Sequence, residues 1–161
     1  PESPPIIALS PQGFKKSGVT PILHIPKAEN EGGLSVPAMD AVAKLLGIQY
    51  IEVYEGATFY SMFNLAPVGK HVLEVCHTVP CMLRGSDDII AHIEKRLGIK
   101  PGETTKDGLF TLKTAECLGS CGTAPMLQCG AKYHEHLTLE KVDELIEKLR
   151  AEPKRNNYTD R

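Results

Sequence analysis

Four of the five cysteines stand in two tight pairs, and no other feature restricts the fold of this chain as strongly. Cys76 and Cys81 bound the run CHTVPC, Cys117 and Cys121 bound CLGSC, and 35 residues separate the pairs. An apolar run precedes each pair: Val72, Leu73 and Val75 before the first, Leu109 to Leu112 before the second. Each pair is therefore expected in a loop just after a strand, where a rigid backbone aims the side chains. Two such loops can close on one object from both sides. Structural zinc loops mostly use C-x2-C, whose bite fits one tetrahedral ion. The wider x4 and x3 gaps favour a two-iron, two-sulfide cluster, with two thiolates for each iron. Zinc is the alternative, and a dithiol or disulfide pair comes after it, because neither pair is C-x-x-C. Gly119 and Gly122 are expected to bring backbone N–H groups to the sulfurs. Pro80 and Pro125 should stiffen the loops, and Leu118, Met82 and Leu83 should exclude water.

Composition removes several function classes. The 161 residues suffice for one good core or two small ones. Eighteen basic against twenty acidic side chains give a net charge of −2, so no general attraction to nucleic acid or an anionic membrane is expected. No apolar run approaches the roughly 18 residues that span a bilayer, so direct membrane insertion is not expected either. An odd cysteine count argues against a complete disulfide framework. A first residue of Pro rather than Met suggests a processed chain.

The prolines and glycine of residues 1–13 read as an extended arm. Residues 14–67 read as helical: a short helix from Val19 that ends before Pro26, a second capped by Ser35 and stopped by Gly47, and a third over Ile51–Phe63. Ala38, Val42, Leu45 and Leu46 are the expected inner stripe of the second helix. The aromatic and apolar residues of the third wrap most of the way round, as for a helix buried on several sides or one wedged between two domains. Pro67 and Gly69 mark a boundary. Residues 68–150 then read strand, helix, strand, strand, helix, with a short further strand near Tyr133. Ser86 should cap a helix with Ile89, Ile90, Ile93 and Leu97 inside, and Thr138 one with Val142, Leu145, Ile146 and Leu149 inside. Residues 151–161 form a polar tail.

Several runs together carry a resemblance: Val53 to Tyr60 (VYEGATFY), Pro67 to Lys70 (PVGK), Cys76 to Arg84 (CHTVPCMLR), Leu97 to Thr105 (LGIKPGETT), and Glu116 to Cys121 with Ala124-Pro125. In these the chain resembles the family of the 24 kDa flavoprotein-2 subunit of respiratory complex I, NADH:ubiquinone oxidoreductase, in register from about residue 17 to 150. The resemblance implies an α+β chain, an N-terminal helical domain (14–67) followed by a thioredoxin-like 2Fe-2S ferredoxin domain (68–150). It implies one 2Fe-2S cluster on Cys76, Cys81, Cys117 and Cys121, and no catalytic residue of the chain's own. The cluster would exchange one electron with the FMN of a partner flavoprotein subunit that also binds NADH. The large iron–sulfur subunit would be a further partner. The host would be the peripheral arm of complex I at the mitochondrial inner membrane, matrix side, to which the CMLR form of the first loop and the missing Met also lean; the alternative is the bacterial cytoplasmic face. The same module in an NAD-linked hydrogenase or formate dehydrogenase, and a zinc-stabilised interaction module, are the rival functions.

The chain departs from the family in Cys129, in place of a buried aliphatic residue, in Pro26 and in Gly122-Thr123. Cys129 is expected to be a small core hydrophobe. His77 is expected in an outer or solvent role, His134 and His136 in a solvated turn, and His92 on a polar helix face. Arg84 could balance cluster charge or form a plain salt bridge. Asp87 and Asp88 serve as helix N-terminal charges. Phe59, Tyr60 and Phe63 belong to a core or a subunit interface.

Overall fold

The computed structural model describes residues 15–30 and 33–152. The expected N-terminal arm and all but the first two residues of the expected tail lie outside the described residues. The chain divides into two compact units, Pro1–Pro67 and Val68–Arg161.

The first unit holds α1 (Val19–Glu29), α2 (Val36–Leu46) and α3 (Tyr50–Phe59), with a 3-10 turn at Lys15–Gly18 before them. Its core includes Ile22, Leu23, Met39, Leu46 and Val53, each at most 2% exposed. Contrary to the sequence expectation, α1 runs through Pro26 to Glu29. A proline forfeits one ladder bond and crowds the preceding turn. Here it falls late in an 11-residue helix whose Val19, Ile22 and Leu23 are buried, and packing outweighs the local loss. Gly47 ends α2 at φ 62, as expected, but the buried residues are Met39, Val42, Ala43 and Leu46. Leu45 is exposed, so the inner face is rotated from the expected stripe. Ser35 stands at the N-cap without a side-chain bond. Helix α3 stops at Phe59, where the sequence suggested Phe63, and buries only Val53 and Ala57. The Glu52 carboxylate accepts the Gln49 N–H at 2.9 Å at its start. Phe63 enters the core while Phe59 is 81% exposed. The expected burial on several sides is therefore a single buried line.

The second unit is a four-stranded sheet with helices packed on it. Its elements are β1 (His71–Cys76), a short α4 (Val79–Leu83), α5 (Ser86–Leu97), β2 (Phe110–Ala115), β3 (Leu127–Cys129), β4 (Lys132–His134) and α6 (Leu139–Ala151). The strand order is β2-β1-β3-β4. β1 and β2 run parallel with Cys76 opposite Ala115, while β3 is antiparallel to both β1 and β4. Side chains alternate across a strand. Leu73, Val75, Phe110, Leu112 and Leu127 join the main core with Ile89, Ile93 and Ile146 of the helices. Cys76 stands out of phase with Leu73 and Val75 and belongs to a separate small cluster. Gly69 is fixed by a close approach: a Cβ there would lie 2.8 Å from the Phe110 carbonyl carbon.

Helix α6 buries Val142, Leu145, Ile146 and Leu149, the expected face, and the Thr138 hydroxyl accepts the Lys141 N–H at 3.3 Å. Ser86 does not cap α5. The N-cap is Gly85 at φ 91, and the Ser86 hydroxyl is buried inside the first turn. Arg96 bridges α5 to Asp143 and Glu147 of α6 at 3.1 and 2.9 Å. His92 meets Asp143 at 3.0 Å, at the edge between the helices. Among the described residues no helix is long and apolar enough to cross a membrane.

Candidate metal centre

The ends of two neighbouring parallel strands bring the cysteines together. Cys76 is the last residue of β1, and Cys117 comes two residues after β2 ends at Ala115. Adjacent parallel strands end side by side, so loops leaving them open onto one edge of the sheet. The His77 N–H donates to the Ala115 carbonyl at 2.9 Å, which ties the two exits.

The first pair is held by regular structure. The Cys76 N–H donates to Met126 O at 3.2 Å. Two residues on, Thr78 opens α4, with Pro80 in its first turn and Cys81 inside it. The sequence placed Cys81 in a loop. The Thr-x-Pro start was the local sign of a helix, since proline is pre-organised for a first turn. Cys76 and Cys81 are 2% and 1% exposed and pack with Ala124, Met126 and partly buried Leu118. Leu118 packs on this group, whereas Met82 and Leu83 are 44% and 83% exposed.

The second pair is open. Cys117 and Cys121 are exposed, and their Sγ atoms lie 3.6 Å apart. Gly119 between them has φ +80, a left-handed conformation that L side chains rarely adopt. Its backbone N–H bonds to Cys117. Cys121 begins a 3-10 turn through Thr123, ahead of the cis Ala124–Pro125 peptide.

Within each pair the thiols differ. Burial pushes Cys76 up, but the Thr78 hydroxyl and the Leu118 and Thr78 backbone outweigh it, and its pKa falls below the ordinary value. Burial and the neighbouring Cys76 push Cys81 up to about 11. In the second pair the Gly119 N–H and the Cys121 thiol lower Cys117, and Cys121 is raised by its bond to Cys117. In each pair, then, one thiol gives up its proton more readily than its partner. The Thr78 hydroxyl sits 3.5 Å from Cys76 Sγ and also bonds to Cys117. It is a polar link between the pairs that the sequence reading overlooked.

Among the described residues no three His, Cys, Asp or Glu side chains converge as a group able to hold one metal ion. The thiols come as two forks: Cys76 packs with Cys81, and Cys117 and Cys121 lie with their Sγ atoms 3.6 Å apart. Two forks suit a cluster with two metals, each of which needs two protein sulfurs. Thiolate donors, the Gly119 N–H and the buried floor of Ala124 and Met126 match the chemistry of a two-iron cluster. The other candidates fall outside this set. Cys129 is buried in β3, where burial pushes its thiol up to about 12. His77 is exposed and pairs with Asp87 at 3.0 Å. His134 closes β4 half-buried, and burial lowers its pKa, so it is not in a solvated turn; His136 is exposed. Arg84 is exposed at the end of α4.

A family model described as "Thioredoxin-like [2Fe-2S] ferredoxin" matches residues 5–150. Bacterial proteins named as one of the subunits of NADH-quinone oxidoreductase are similar over most of their length. The one from Rickettsia conorii is 49% identical over 144 residues, 89% of this chain and 86% of its own. The one from Rickettsia felis is 50% identical over 142 residues, 88% of this chain and 85% of its own. Among solved structures, the NAD+-reducing [NiFe]-hydrogenase in the H2-reduced state matches with a TM-score of 0.74 at 22% identity. That match covers 84% of this chain but 22% of the hydrogenase chain, so it speaks for the fold alone.

Proposed function

The chain belongs to the thioredoxin-like [2Fe-2S] ferredoxin family, and from that premise we propose that it is an electron-transfer subunit in the NADH-oxidising module of an NADH–quinone oxidoreductase. The observation that carries this reading is the two-fork arrangement of Cys76 with Cys81 and of Cys117 with Cys121 at the ends of paired parallel strands. These four residues would hold one 2Fe-2S cluster. When bound, the cluster supplies a one-electron couple. The chain's own part is to deprotonate four thiols, fix their spacing and set the surrounding charge. Cys76 and Cys117, with lowered pKa values, are the first donors to be ready. Cys81 and Cys121 must lose protons as metal binds.

Hydride chemistry belongs to a flavin, which in this reading sits as FMN, with the NADH site, on a partner flavoprotein subunit. The large iron–sulfur subunit is the second partner. The name borne by the Rickettsia relatives supports that setting. Residues 68–150 act as the cluster domain and residues 14–67 as a helical domain for assembly. The arm carrying them would lie on the cytoplasmic face in a bacterium like the hosts of those relatives, or on the matrix face of the inner membrane in a mitochondrion.

The test is an anaerobic absorption and EPR spectrum with iron and acid-labile sulfide assays. About two irons and two sulfides per chain, visible bands that bleach on reduction, and their loss in Cys117→Ser but not in Cys129→Ser are the expected outcome. A colourless chain with zinc and no sulfide would sink the reading.

A further inference from the structure

We propose that residues 133–137 are a strap that positions the second cysteine loop, and that Glu135 is its positioning residue and the fixed negative charge that holds the cluster's reduction potential down. The inference rests on the reading of Cys117 and Cys121 as cluster ligands.

Four successive attachments define the strap. The Tyr133 hydroxyl donates to Leu118 O at 2.8 Å. The Glu135 carboxylate accepts from Ser120 Oγ and Thr123 Oγ1 at 2.5 and 2.6 Å on the same oxygen, Oε1. The His136 N–H donates to Thr123 O at 2.8 Å, and the Leu137 N–H to Pro125 O at 2.9 Å. The loop from 118 to 125 is thereby tied along its length to one short segment. The segment is itself constrained. His136 is the one non-glycine residue with positive φ, 48°, among the described residues, a conformation that persists only where its surroundings enforce it. Lys141 Nζ holds the His136 carbonyl at 2.9 Å.

The chemistry of Glu135 suits the role. Cys117 and Cys121 are exposed, and the only regular structure at either is the three-residue 3-10 turn that Cys121 begins. Hydroxyl–carboxylate bonds are short and strong because one partner is charged, and two on one oxygen lock both ends of the Ser120–Thr123 turn. These bonds also keep the Glu135 carboxyl below its usual range, so it is ionised at neutral pH. Ser120 adjoins Cys121, which brings that charge to the rim of the ligand loop. Adding an electron beside a fixed negative charge is disfavoured, and local charge is one of the determinants of such potentials.

Glu135→Gln and Glu135→Ala separate the two roles. In the metal-free full chain, hydrogen exchange across residues 117–125 should rise by about tenfold in Glu135→Ala, from the loss of charge-assisted bonds, with residues 76–84 unchanged. Glu135→Gln keeps an acceptor oxygen, so its exchange should stay close to native. In the cluster-loaded chain both variants should show a more positive midpoint potential, and Glu135→Ala alone should also broaden the EPR signal. A loop that only needed packing would leave the Glu135→Gln potential at the native value. That result, or unchanged exchange in Glu135→Ala, overturns the proposal. A native chain without iron or sulfide defeats the functional reading instead, and the metal-free exchange comparison still judges the strap.

Discussion

The two cysteine pairs offer the same donor atoms from opposite structural positions. Cys76 and Cys81 are buried at the end of a central strand and in a short helix, over Ala124 and Met126. Cys117 and Cys121 are exposed, on a loop whose order comes from Gly119 and from side-chain bonds to residues 133–137. The first pair is positioned by the same burial that stabilises the unit. The second is positioned by polar contacts that water can compete for. A cluster held by these four thiols would have one side anchored in the fold and one side facing out. In the proposed function that outward side is the one open to an electron partner.

Thiol reactivity in the metal-free chain should expose this contrast most strongly. Alkylation proceeds through the thiolate. A group raised from 9.0 to about 11, as Cys81 is, holds about a hundredfold less thiolate at pH 8 than one at the ordinary value. Burial slows it further. Cys117, exposed and lowered, should react first, and Cys81 more than about a hundredfold later. The sign with pH follows. Between pH 8 and 10 the Cys81 rate should climb about tenfold per unit, while Cys117 levels off first. Peptide mapping of timed alkylation reads the order. Equal rates at Cys81 and Cys117 would erase the distinction between the pairs.

Truncating the floor comes next in size. Met126 is 0% exposed and packs under the first pair. Met126→Ala should cost about 2–5 kcal/mol in urea unfolding of the metal-free chain, as for other large-to-small core changes. A cost below that of an ordinary surface change, about 0.5 kcal/mol, would mean that the buried pair is not anchored as described.

How far the sequence made this arrangement legible depends on range. The face of α6 was readable because Val142, Leu145, Ile146 and Leu149 fall among charged residues, which leaves one possible inner side. Helix α2 offers apolar residues on more than one side, so its period was plain and its phase was not; Leu45 turned outward and Met39 inward. Pro26 was read by its local cost, and packing overrode it. The cysteine spacing announced the four thiols, and the Thr78-Val79-Pro80 start could have announced α4. The strap was not legible. The Glu135 contacts span 12 and 15 residues and depend on how β3 and β4 fold back, which no local period encodes.

The smallest expected effect falls on the second loop alone. Gly119 has φ +80 with no atom within 4 Å of where a Cβ would stand. Gly119→Ala therefore adds no clash, only the backbone strain of a left-handed L residue, about 1–2 kcal/mol. The buried pair is held by β1 and α4, so global unfolding in urea should shift by no more than this amount. Cluster retention should respond more sharply, because the strained variant loop gains by rotating position 119 to negative φ and withdrawing its N–H from Cys117. Iron release to a chelator should quicken by about tenfold, the kinetic equivalent of roughly 1.4 kcal/mol. Native release with native unfolding would show that the second loop is as rigidly anchored as the first, and the contrast between the pairs would then reduce to solvent exposure.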